Sequence, residues 1–112
     1  MAPAAHSTEF SAERDATDRR LTAAMAAAQG GDRAAYEALL RAIVPFIRAV
    51  AQRRHRQSDR VEDVIQNVLL TVHKVRHTYD PSRPCTHWLA TIAERRSIDM
   101  LRRRGRIARL EE

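Results

Sequence analysis

The stretch VEDVIQNVLLTVHKV, residues 61–75, decides the fold. Its apolar residues Val61, Val64, Ile65, Val68, Leu69, Val72 and Val75 recur at three- and four-residue steps. That is the period of an amphipathic helix with one face in a core. The other face carries Glu62, Asp63, Gln66, Asn67, His73 and Lys74. Just upstream, Asp59 and Glu62 have the spacing of a capping box, so the helix is expected to open there.

The same period continues on the N-terminal side. Tyr36, Leu39, Leu40, Ile43, Ile47, Val50 and Ala51 mark a second buried helix face, with Asp32 placed to cap it. Pro45 interrupts this segment without ending its period, which predicts a kink rather than a stop. RRHRQS, residues 53–58, reads as a loop. Further upstream, TDRRLTAAMAAAQ from Thr17 is helix-prone and weakly amphipathic through Leu21, Ala24, Met25 and Ala28, and Gly30-Gly31 end it. Residues 1–16 show no sustained period and are expected to form a flexible arm, with Phe10 as a local anchor.

On the C-terminal side, HTYDPSRPC, residues 77–85, holds two prolines and reads as an ordered loop. Thr86 is placed to cap a last helix through Trp88, Leu89, Ile92, Ala93, Ile98 and Leu101. The pattern weakens past Gly105, so residues 106–112 are expected to begin a linker. The prediction is an all-α domain over residues 17–105, a compact helical bundle of about four helices. Composition agrees. Only 4% of the 112 residues are aromatic, and three glycines and four prolines are too few for the turns of an all-β fold.

The net charge of +6 points to a polyanionic partner, either nucleic acid or an anionic membrane surface. No apolar run approaches the roughly 20 residues needed to cross a bilayer, and no signal segment opens the chain, so a soluble, cytoplasmic protein is expected. Lys74 is the only lysine. The arginine bias fits phosphate binding and a GC-rich genome equally well. Cys85 is the only cysteine, which excludes an intrachain disulfide.

Three features bear on function. Arg95, Arg96, Arg102, Arg103, Arg104, Arg106 and Arg109 lie on or beyond the last helix. On that helix Arg95, Asp99, Arg102, Arg103 and Arg106 share one face, and Asp99 stands four residues from both Arg95 and Arg103. Cations this concentrated repel one another and favour an anionic partner, although a solvated face is the commoner fate of a charge run. The second feature is the loop before that helix, where Tyr79, Asp80, Ser82, Arg83, Thr86, His87 and Trp88 combine rings, hydrogen-bonding groups and charge. Single-stranded bases are gripped by such a set, while a plain connector with Trp88 in the core is the competing interpretation. The third is the polar patch Asp63, Gln66 and Asn67, which composition alone assigns to solvent.

No catalytic grouping or cofactor motif is present, so no enzyme activity is expected. His73, His77, Cys85 and His87 are zinc-type ligands, but their spacing matches no common finger and no metal site is expected.

Read together, GDRAAYEALLRAIVPFIRAVAQRR, VEDVIQNVLLTVHKVRHTYDP and WLATIAERRSIDMLRRRGR resemble region 2 of the extracytoplasmic-function (ECF) sigma factors, over about residues 18–105. The resemblance implies a helical bundle whose middle helix docks on the β′ clamp coiled coil of core RNA polymerase through Asp63, Gln66 and Asn67. Where Asn67 stands, the family often has an acidic residue. The resemblance also implies that residues 80–87 capture a flipped base from the nontemplate strand of the promoter minus-ten element. Arg95, Arg96, Arg102 and Arg103 would then hold the promoter backbone, braced by Asp99, and an anti-sigma factor would be a further partner. These factors normally carry a second domain, region 4, and here the sequence stops where the linker towards it is expected. Two other classes stay open: a protein-interaction module bound by an anti-sigma factor, and a helix-turn-helix regulator of duplex DNA.

Overall fold

The computed structural model describes the backbone of residues 2–111 and the side chains of residues 12, 13 and 15–110. Four α-helices follow one another: α1 (Ala2–Gln29), α2 (Arg33–Gln52), α3 (Ser58–Val75) and α4 (Cys85–Glu111). A 3-10 turn, Arg76–Thr78, follows α3. The described residues contain no strand, and the expected all-α bundle is found. α2 packs against all three other helices, α3 lies on α4, and α1 crosses α2 and the start of α4.

The periodic residues form the core. Leu39, Ile43, Ile47, Val50 and Ala51 of α2 meet Val61, Val64, Ile65, Val68 and Val72 of α3. Leu21 and Met25 of α1 and Leu89 and Ala93 of α4 close the cluster. Burying each large aliphatic side chain contributes about 1.5–3 kcal/mol, which outweighs any local capping term. One polar pair sits inside this core. The buried His55 ring nitrogen Nε2 lies 3.1 Å from the Ser97 carbonyl, which can only accept, so Nε2 carries the proton. The loop after α2 is pinned to α4 in this way.

Helix ends follow local chemistry. Asp32 caps α2 by accepting from the Ala35 amide at 3.0 Å. Gly31, at φ +99°, reverses the chain after α1 in a conformation other residues avoid. α2 runs unbroken past Pro45, which is solvent-exposed, so the carbonyl its ring deprives of a donor can turn to water.

Three boundaries differ from expectation. α3 opens at Ser58, with Gln57 at the cap position and no side-chain cap, so Asp59 sits in the first turn and the capping box does not form. α1 begins at Ala2, so the expected arm is helical in backbone; the Phe10 anchor lies outside the described side chains. α4 continues through Gly105 to Glu111, so residues 106–111 prolong the helix where a linker is expected to begin. Alanine-rich and arginine-rich runs have high helix propensity even where no apolar face reports it.

Candidate nucleic-acid interface

The loop between α3 and α4 turns on Asp80. Its carboxylate accepts from the Ser82 amide at 2.9 Å and the Ser82 hydroxyl at 2.7 Å, and Arg83 lies 3.8 Å from its second oxygen. These two hydrogen bonds, with Arg83 assisting, hold the Asp80 carboxyl below its ordinary range. Asp80, Ser82, Arg83 and His87, expected to face DNA, are all exposed.

Tyr79 departs from that expectation. It is only 3% exposed, its ring centroid lies 5.1 Å from that of Trp88, and its hydroxyl donates to the Arg83 carbonyl. The ring anchors the loop and offers no free face for stacking. Trp88 is half-buried against the core, the packing that the connector interpretation expects. Thr86 is also occupied: its amide and hydroxyl both donate to Asp18 of α1, at 2.9 and 3.1 Å. Asp18, not Thr86, therefore caps α4, from 68 residues away. A cleft of about 380 Å³ separates the loop from α1, between Asp18, Arg19 and Thr22 on one side and Pro81, Ser82 and Arg83 on the other.

Along α4 the arginines divide. Arg95, Arg102, Arg103 and Arg106 are exposed, and none forms an ion pair among the described residues. Arg96 is half-buried, bonded to the Thr71 hydroxyl of α3 at 3.1 Å and 3.7 Å from Asp99. Asp99 thus pairs with Arg96 and not with Arg95 or Arg103, because a residue three positions away lies as close on a helix as one four away. Asn67, Arg96, Asp99, Arg102, Arg103 and Arg106 line one groove of about 340 Å³ between α3 and α4. A larger groove of about 530 Å³ adjoins it at Arg103, walled by Arg60, Met100, Arg104 and Ile107, and is mostly apolar.

The patch on α3 continues into this groove. Asp63 is exposed and lies 3.8 Å from Arg104, Gln66 is exposed, and Asn67 buries an amide oxygen that has no partner among the described residues. Leu70, one turn beyond Gln66, is 61% exposed on the same outer face, where it follows none of the core positions. Sequence reasoning passed over it. The available signal was a leucine outside the apolar register of its own helix. The patch and the arginine face therefore form one continuous surface around α3 and α4.

Among the described residues no three of His, Cys, Asp and Glu converge on a metal-sized site, and no helix is long and apolar enough to cross a membrane.

The sigma-70 region 2 family matches residues 39–107. An ECF RNA polymerase sigma factor, SigF of Caulobacter vibrioides, is 38% identical over 89 residues, 79% of this chain and 50% of that protein. The ECF RNA polymerase sigma factor RpoE of Cereibacter sphaeroides is 33% identical over 73 residues, 64% of this chain and 40% of that protein. The chain thus spans half or less of the length of these relatives, and no solved structure matches it. The family match covers α3, the loop and the arginine face of α4 together, and the chain belongs to the sigma-70 region 2 family, on its ECF branch.

Proposed function

We propose that this chain joins core RNA polymerase to promoter DNA and traps the minus-ten element in its opened form. One observation carries the proposal. The exposed loop at residues 80–84 leads directly into four exposed arginines, Arg95, Arg102, Arg103 and Arg106, that no carboxylate neutralises among the described residues. The loop would read an unpaired base through Asp80, Ser82 and Arg83, with the His87 ring and the Arg83 guanidinium as stacking planes in place of the buried Tyr79. The arginine face would hold the phosphates. Stacking of roughly 1–3 kcal/mol per base offsets unpairing, so opening needs no hydrolysis by this chain, and no enzyme activity is assigned to it.

Docking on the β′ clamp coiled coil is assigned to Asp63, Gln66 and Asn67, with Leu70 as the apolar anchor between them. An exposed leucine ringed by polar groups suits an interface whose centre is dry and whose rim is wet. An anti-sigma factor is the second protein partner, and the site of action is where polymerase and DNA meet, in the cytoplasm. The helix-turn-helix alternative is disfavoured because residues 76–84 make a connection longer than the short turn of that motif.

The test is co-purification with core RNA polymerase. Asp63→Arg and Leu70→Asp should each reduce retention at least tenfold. Arg104→Ala, which releases Asp63 from its internal partner, should leave retention unchanged or raise it. Retention of both first variants at the wild-type level overturns the docking assignment.

A further inference from the structure

We propose that α1 sets the base preference of the loop, with Asp18, Thr22 and Gln29 acting as positioning residues that touch no DNA themselves. The proposal rests on the assignment of the loop as a base reader. The loop holds its tip by the local Asp80–Ser82 turn, but its two ends are held from α1. Gln29 Nε2 donates to the carbonyls of Arg76 and Tyr79 at 2.9 and 2.8 Å, which fixes where the chain leaves α3. Asp18 caps α4 through Thr86, which fixes where the chain enters the next helix.

Thr22 ties the middle. Its hydroxyl oxygen lies 3.3 Å from both the Cys85 amide and the Tyr79 hydroxyl. Tyr79 has one hydroxyl proton, and the Arg83 carbonyl can only accept it. Proton supply therefore runs in one direction: Cys85 amide to Thr22, Thr22 hydroxyl to Tyr79, Tyr79 hydroxyl to the carbonyl of Arg83. The chain ends on the backbone of Arg83, whose exposed side chain is the one assigned to the incoming base. Asp18, Thr22 and Gln29 share the α1 face that also buries Leu21 and Met25, so the helix that holds the loop is itself fixed in the core. Asp18 and Thr22 form the α1 wall of the cleft opposite Pro81, Ser82 and Arg83. A shift of α1 would change the width of that cleft without altering any loop residue.

The probe is a pool of fluorescent single-stranded oligonucleotides with a randomised centre. The most enriched sequence and a scrambled one are then titrated against the 112-residue chain. Thr22→Val removes both bonds of the hydroxyl. Gln29→Glu, at an exposed position that does not endanger folding, replaces the amide donor by an acceptor. Both should reduce the enriched-to-scrambled affinity ratio at least tenfold, with scrambled-sequence affinity within error of wild type; Thr22→Val should also lower the melting temperature by a few degrees, because it leaves a buried amide without its partner. Thr22→Ser, which keeps the hydroxyl, should restore the ratio. In Thr22→Val the Cys85 thiol should also react faster with a thiol reagent, since the amide beside it has lost its tie. A ratio that survives in both variants overturns the proposal. So does a loss of affinity for enriched and scrambled sequences alike in step with a fall in melting temperature, because that marks a purely structural role. Wild-type chain that enriches no sequence overturns the base-reading function and the proposal with it.

Discussion

At the scale of single residues, burial and hydrogen bonding decide which side chains are free to act. Cys85 is fully buried, and burial, with the Asp18 carboxylate nearby, pushes its thiol up to about 11. A thiol so far above neutral pH is almost entirely protonated and shielded, so it is a poor nucleophile. Alkylation by iodoacetamide at pH 7.5 should be at least tenfold slower in folded chain than in urea-unfolded chain; equal rates would contradict the packing of the loop. The sign of the linked stability follows. Below the ordinary value of 9.0 the thiol is neutral in both states and contributes fully, and stability is lost as pH rises from 9.0 through about 11. Asp80 behaves in the opposite sense: its carboxyl is depressed, so the turn it holds persists above its ordinary range and loosens only as pH falls below it. Tyr79 shows what sequence could not give at this scale. A tyrosine beside two prolines resembles a stacking ring, and only the packing of Trp88 and the Arg83 carbonyl turns it inward.

At the scale of elements, the periodic helices were legible and their ends less so. α2 and α3 were readable because their buried residues keep strict three- and four-residue spacing, and α3 even concealed its polar patch in plain register. The full length of α4 was not, because past Leu101 the helix has left the core and no apolar face reports it. The hold of α1 on the loop was invisible for a different reason: it is made by side chains bonding to backbone across 47 to 68 residues, and no local pattern encodes such contacts. Two glycines test the element boundaries in opposite directions. Gly105 sits exposed within α4 with open space around it, so Gly105→Ala should stabilise the chain by about 0.5–1 kcal/mol in urea unfolding. Gly31→Ala meets no clash but forces a left-handed backbone, and should destabilise by about 1 kcal/mol. Loss of stability on Gly105→Ala would mean that α4 ends earlier. The arginine face of α4 is tested by salt. For single strands the slope of log affinity against log salt is roughly 0.7 per phosphate neutralised, so Arg102→Ala with Arg103→Ala should flatten it by about 1.4. An unchanged slope would remove both residues from the backbone contact.

At the scale of the whole molecule, four helices divide the work. All four contribute to the core, α1 and α2 brace the other two, α3 turns a polar patch and Leu70 outward, and α4 carries the cations past the loop. The α3 patch and the arginine face adjoin along one groove, so a protein docked on α3 would lie beside the strand held on α4. Under the proposed function, that adjacency would let a chain of net charge +6 hold one partner beside the other without a moving part. Such coupling would rest on DNA held as a single strand. The decisive measurement is therefore fluorescence anisotropy of the pool-enriched single strand, its complement and the duplex of the two, against the wild-type chain at one fixed salt concentration. The enriched strand should bind at least tenfold tighter than either of the others. Equal affinity for all three would leave only charge attraction and contradict capture of an opened promoter.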